Sequence, residues 1–92
     1  MYVAEIKVKR SLGTVFSYST PKVNKVQQAL DIARDIALSA EPLNGCDGFD
    51  FTHNRDGLAI GKVYDHKGVN YTVICTVYHV EQYALSKYDR ID

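Results

Sequence analysis

The chain has 92 residues, 46% of them apolar and 24% charged, and its formal net charge is zero. This is the composition of one globular domain, 1–92, whose core buries roughly 60–65% of the unfolded surface. It leaves little room for a second domain, no apolar run approaches the ~18 residues of a bilayer span, and neutrality weakens non-specific attraction for nucleic acid.

The opening Met1-Tyr2-Val3-Ala4-Glu5 lacks the basic and apolar regions of a signal peptide, so a cytoplasmic location is expected. Residues 2–10 alternate: Tyr2, Ala4, Ile6 and Val8 fall on one side, and Val3, Glu5, Lys7 and Lys9 on the other. That period predicts a half-buried antiparallel strand. Ser11-Leu12-Gly13 turns the chain, and the short, hydroxyl-rich Thr14–Tyr18 stretch reads as a second strand at a sheet edge.

A helix is predicted next. Thr20-Pro21 is one possible start; Asn24 with Gln27, a variant capping box, is the favoured one. Val26, Leu30, Ala33 and Ala37 recur at helical spacing, flanked by Ala29, Ile32 and Ile36, so the helix has a broad apolar stripe. Asp31 and Arg34 are placed to pair weakly on its wet side. Pro42 and Gly45 stop it near Ala40.

The stretch from Phe49 to Val80 holds three β-type runs. Its separators, Asn54-Arg55-Asp56-Gly57 and Asp65-His66-Lys67-Gly68, are polar, end in glycine and suit short hairpin loops. Phe49, Phe51 and His53 are expected on one side of the first run. In the second, Leu58, Ile60, Lys62 and Tyr64 alternate with Ala59, Gly61 and Val63. The third is the strongest β signal, with Val69, Tyr71, Val73, Cys75 and Val77 on one face and Asn70, Thr72, Ile74, Thr76 and Tyr78 on the other. Residues 81–86 suggest a further helical turn, and the last residues are expected to fray. The prediction is a two-layer α+β domain, an antiparallel sheet of four to five strands on one helix in the order β-β-α-β-β-β. One helix covers one sheet face; the other, with Thr72, Ile74, Thr76, Tyr78, Lys7 and Lys9, is left for solvent or a partner.

No catalytic or metal-binding machinery stands out. His53, His66, His79, Cys46 and Cys75 are not at the close spacings that anchor structural zinc, so no metal or cofactor is expected. Cys75 reads as a small buried hydrophobe, and Cys46 as a partly exposed loop residue. There is no nucleophile elbow, and a Cys46–His53 pair would need a third group and a pocket. Asp47, Asp50 and Asp56 look like turn formers. The chain is therefore expected not to be an enzyme.

The neutral total hides a polarity. Lys7, Lys9, Arg10, Lys22 and Lys25 face only Glu5 in the first 25 residues, and the remainder carries the matching acid excess. With seven tyrosines and three phenylalanines, this basic third permits stacking and phosphate contacts. Tyr2, Tyr64 and Tyr71 alternate with core positions and are expected to be structural; Tyr18 and Tyr78 are the better candidates for exposure. Interface anchors tend to be aromatic or arginine, which singles out Arg10, Tyr18, Arg55 and Tyr78.

The layout of the opening strand Tyr2–Val8, the single helix around Val26-Gln27-Gln28-Ala29-Leu30 and the meander Phe49–Val80 resembles the small phage-encoded anti-CRISPR proteins acting on type I-F surveillance complexes. The resemblance implies a stoichiometric, non-enzymatic inhibitor in the host cytoplasm, docking as a monomer on Cas subunits of the RNA-guided complex and preventing target DNA binding. On that reading Lys7, Lys9, Arg10, Lys22 and Lys25 meet acidic protein or guide-RNA phosphates. The loops around Asp56 and Asp65 meet cations that otherwise hold nucleic acid. The alternative is a small cytosolic accessory protein that binds RNA or single strands through the same face. A third reading is a small oligomerising structural protein, a concentration-dependent dimer paired through the edge strand near Phe16.

Overall fold

The computed structural model describes residues 1–55, 57–80 and 88–90, with 53–55 and 88–90 as backbone only. The elements are β1 (Tyr2–Arg10), β2 (Gly13–Ser19), α1 (Val26–Ser39), a 3-10 turn (Glu41–Leu43), β3 (Phe51–Arg55), β4 (Leu58–His66), β5 (Val69–Val80) and β6 (Tyr88–Arg90). The strands form one antiparallel sheet in the order β2-β1-β5-β4-β3, with β6 added against the end of β5. One helix on this sheet is the expected α+β two-layer fold. The final strand is additional: residues 88–90 pair with Tyr78–Val80 where fraying was expected, because β5 runs past the end of β4 and leaves its edge groups to be satisfied. The helical turn expected at 81–86 lies outside the described residues.

The two-residue period of β1 and β5 sorts their side chains as predicted, except that Val3, expected on the wet side, is buried on the face away from α1, as is Val80. Ala4, Ile6 and Val8 from β1 and Tyr71, Val73, Cys75 and Val77 from β5 are buried under α1, which contributes Ala29, Leu30, Ala33 and Ala37. Leu43, Phe49, Ala59 and Val63 complete this core toward β4. Thr20 seals one end. Its hydroxyl accepts from the Ala4 N–H at 2.9 Å, and its own N–H donates to the Ala4 carbonyl at 2.9 Å, so the buried polar groups are paired.

The helix begins one residue later than the favoured box. Lys25 is the N-cap, and the Gln28 side chain accepts from the Lys25 N–H at 3.2 Å. Gln27 is engaged instead with the Asp31 carboxylate one turn on, at 3.0 Å. Arg34 likewise turns from Asp31 to Asp50, 3.6 Å away. The helix ends at Ser39 with Ala40 as C-cap, where the Pro42 signal placed it.

Both later hairpins are tighter than their polar separators suggested. Arg55 pairs with Leu58, leaving only two residues between them, and His66 pairs with Val69 around Lys67-Gly68. Lys67 (φ 53°) and Gly68 (φ 80°) both take the left-handed region, as the twist of a two-residue hairpin demands. Register shifts interrupt β1–β2 at Val8/Lys9, β3–β4 at Phe51/His53 and β4–β5 at Val63/His66. The second overturns one expectation: Phe51 stands opposite Gly61, but His53 stands opposite Ile60, so they are out of phase.

Candidate binding face

The sheet face turned away from α1 is built by the strand register. Across β1, β5 and β4 three rows form: Lys9–Thr72–Lys62, Lys7–Ile74–Ile60 and Glu5–Thr76–Leu58. Lys7 and Lys62 are exposed, and Ile60, Ile74 and Leu58 are half-buried. The result is an apolar strip with Lys9 and Lys62 at one end, Lys7 along its β1 side and half-buried Glu5 toward the other end. The Lys62 Nζ donates to the Thr72 hydroxyl at 3.0 Å, which holds that charge over the middle strand. Tyr64, in phase with Lys62 along β4, is 74% exposed. Lysines on one side of an amphipathic strip favour a partner that presents anionic and apolar groups together.

The structure divides the residues singled out in the sequence. Lys7 and Lys9 lie on this face, and exposed Arg10 ends β1 beside Lys9. Lys22 and Lys25 do not join them. They sit on the crossover from β2 to α1, at the end of the sheet where Val23 bridges Tyr2, about 25 Å along β1 from Arg10. The five cations therefore do not form one basic surface; the strand sends its two ends to opposite poles. Tyr18 is exposed but stands opposite Ile6, on the helix side, next to Phe16. Tyr78 stands opposite Val3 on the open face and is half-buried. Arg55 is placed only by its backbone pairing with Leu58, and Asp56 lies outside the described residues.

Two tyrosine expectations need correction. Tyr64 is exposed rather than structural, because β4 turns its small residues Ala59 and Gly61 inward and its large ones outward. Tyr78 is half-buried rather than free. Tyr71 is buried as expected, and Tyr2 packs against His79 with ring centroids 5.4 Å apart. Lys62 was missed as a site residue. Its signal was the shared phase of Leu58, Ile60, Lys62 and Tyr64, but periodicity alone did not say which phase faced the helix.

Both cysteines are free thiols. Cys75 is fully buried beneath α1, and desolvation pushes its thiol up to about 12, so it stays protonated and acts as a hydrophobe. Cys46 is half-buried in the loop after the 3-10 turn, its Sγ 3.6 Å from the Gly48 carbonyl. Nearby, the His66 Nε2 lies 3.0 Å from the Asn44 carbonyl, which ties the β4–β5 hairpin to that loop. Among the described residues no three His, Cys, Asp or Glu side chains gather as a metal-holding group, and no helix is long and apolar enough to cross a membrane.

The fold and face define a small α+β domain with one sheet face under α1 and the other open along the Lys9–Thr72–Lys62 and Lys7–Ile74–Ile60 rows, while Val3 and Val80 at its far end are buried. Comparison with family models, curated proteins and solved structures finds no match to this chain.

Proposed function

We propose that this protein is a non-enzymatic, stoichiometric inhibitor that seats the lysine-bearing part of its open sheet face on the Cas subunits of an RNA-guided type I-F surveillance complex and keeps target DNA from binding. The observation that carries this reading is the amphipathic face itself, with Lys7, Lys9 and Lys62 around Ile60 and Ile74. The layout resemblance supplies the identity of the partner. A surface that reads both charge and apolar shape suits a ribonucleoprotein, where acidic side chains and guide phosphates lie beside apolar protein. Arg10, at the same end of β1, extends the contact; Lys22 and Lys25 lie at the opposite pole and are not part of it.

The test is size-exclusion co-elution with a purified type I-F surveillance complex, with and without pre-bound target DNA. Co-elution only without DNA is the expected result. No co-elution in either state rejects the reading for that complex.

The Lys9–Thr72–Lys62 row beside exposed Tyr64 favours one second reading, a single-strand-binding accessory protein. Such a protein shifts short RNA or DNA on its own, with affinity falling steeply as salt rises. The inhibitor ignores naked nucleic acid.

A further inference from the structure

The edge strand β2 has features that neither the open face nor the core explains. Five large apolar side chains are exposed among the described residues, and three lie on or beside this strand: Leu12 at 99%, Tyr18 at 54% and Val15 at 42%. On the helix side, Phe16 and Tyr18 stack nearly parallel with centroids 6.4 Å apart. Together with Ile32, Ile36 and Ala40 they line an open apolar groove of about 390 Å³.

The backbone of β2 is also available. The Thr20 N–H donates to the Ala4 carbonyl, which makes Ala4–Thr20 a hydrogen-bonded pair. Antiparallel alternation then places Ile6–Tyr18 and Val8–Phe16 in the same class, with their polar groups directed into the sheet. The N–H and C=O groups of Ser17 and Ser19 point outward, along an edge that no described strand covers. Natural edges are commonly guarded by charge, proline or bulges. The β2 sequence Gly-Thr-Val-Phe-Ser-Tyr-Ser has no charged residue and no proline, and its one register shift lies toward the Gly13 end.

We propose that β2 pairs antiparallel with β2 of a second copy of this chain, about a two-fold axis through Ser17. Three observations select a second copy as the occupant. An isologous contact sets like residues near one another, and an uncharged strand is one that does not repel itself. The outward groups of Ser17 meet their equivalents in the correct phase for a hydrogen-bonded pair. That same register sets Phe16 opposite Tyr18 of the second copy at the closer, non-hydrogen-bonded spacing, so the four rings form two adjacent cross-strand pairs at the mouths of the two apolar grooves. The axis is perpendicular to the joined sheet, so both lysine-bearing faces lie on one side and both helices on the other. This pairing is independent of what the open face binds, and between the monomer and the edge-paired dimer that the sequence allowed it selects the dimer.

Sedimentation equilibrium of the full chain from micromolar to millimolar concentration tests it. The expected result is a rise from 10.3 kDa toward twice that mass. Ser17→Lys sets like charges opposite each other at the axis, and Ser17→Pro removes an outward donor without touching the β1 ladder. Each is expected to weaken association by ~10-fold or more with an unchanged far-ultraviolet circular dichroism spectrum. In a Cys46→Ser background, a short bis-maleimide is expected to join Ser17→Cys chains. It is not expected to join Ser19→Cys chains, whose equivalent positions lie about 13 Å apart along the strands. A monomer at every concentration overturns the proposal. So does a dimer indifferent to both folded edge variants, or preferential joining at position 19.

Discussion

Gly61 sets how closely the Phe49 ring approaches the sheet. A Cβ there would stand 2.5 Å from Phe49 Cδ2, 2.8 Å from Cε2 and 3.1 Å from the Asp50 carbonyl oxygen. Phe49 is itself nearly buried and meets Phe51 edge-on, with centroids 5.3 Å apart, so the ring has little room to retreat. Gly61→Ala is therefore expected to cost ~1–3 kcal/mol by overpacking, read as a lower urea midpoint with an unchanged slope. Combining it with Phe49→Leu should cost less than the two changes added, since the smaller side chain frees the space. Strict additivity would show that the ring is not what the new methyl meets. Alternation in the sequence separated Ala59, Gly61 and Val63 from their neighbours. It did not show that a phenylalanine rests on the glycine, because that contact comes from the segment before β3, brought over Gly61 by the long-range pairing of Phe51 with Gly61.

At the level of the element, α1 was legible because its stripe repeats over four turns, whereas its start depends on one local competition. Lys25 occupies the N-cap, where Asp, Asn, Ser or Thr would accept from the first free N–H groups and where positive charge opposes the helix dipole. Lys25→Asp is expected to raise stability by ~1 kcal/mol, measured by chemical denaturation. Since Lys25 lies away from the open face, the same change should leave partner affinity unaltered. Equal or lower stability would mean that the Gln28 contact already meets the needs of this helix end. The hairpins show the same division. Glycine at the end of each separator announced a turn, but the trimming to two residues between paired positions came from strand pairing on either side.

For the whole molecule, the relevant grouping of charge is by face and not by sequence third. The register gathers Lys7 and Lys9 with distant Lys62, and the crossover carries Lys22 and Lys25 away. On the proposed function, reversing Lys7, Lys9 and Lys62 together to Glu is expected to weaken binding to the surveillance complex by ~10-fold or more, because like-charge juxtaposition across an interface costs several kcal/mol. Surface substitutions of this kind usually change stability by only ~0.5 kcal/mol each, so unfolding should be little affected. Full affinity in the triple variant, measured by titration of the complex, would remove the lysine face from the interaction.

By itself the sequence determined the fold class, the helix and its stripe, the alternating faces of β1 and β5, the turns and the burial of Cys75. Each of these follows from periodicity or turn chemistry within a few consecutive residues. Tertiary structure decided which phase of β4 faces the helix, where the bulges fall, that residues 88–90 complete the sheet, and which lysines share a surface. These depend on the partner that each strand meets, and long-range pairing leaves no local mark on the residues that make it.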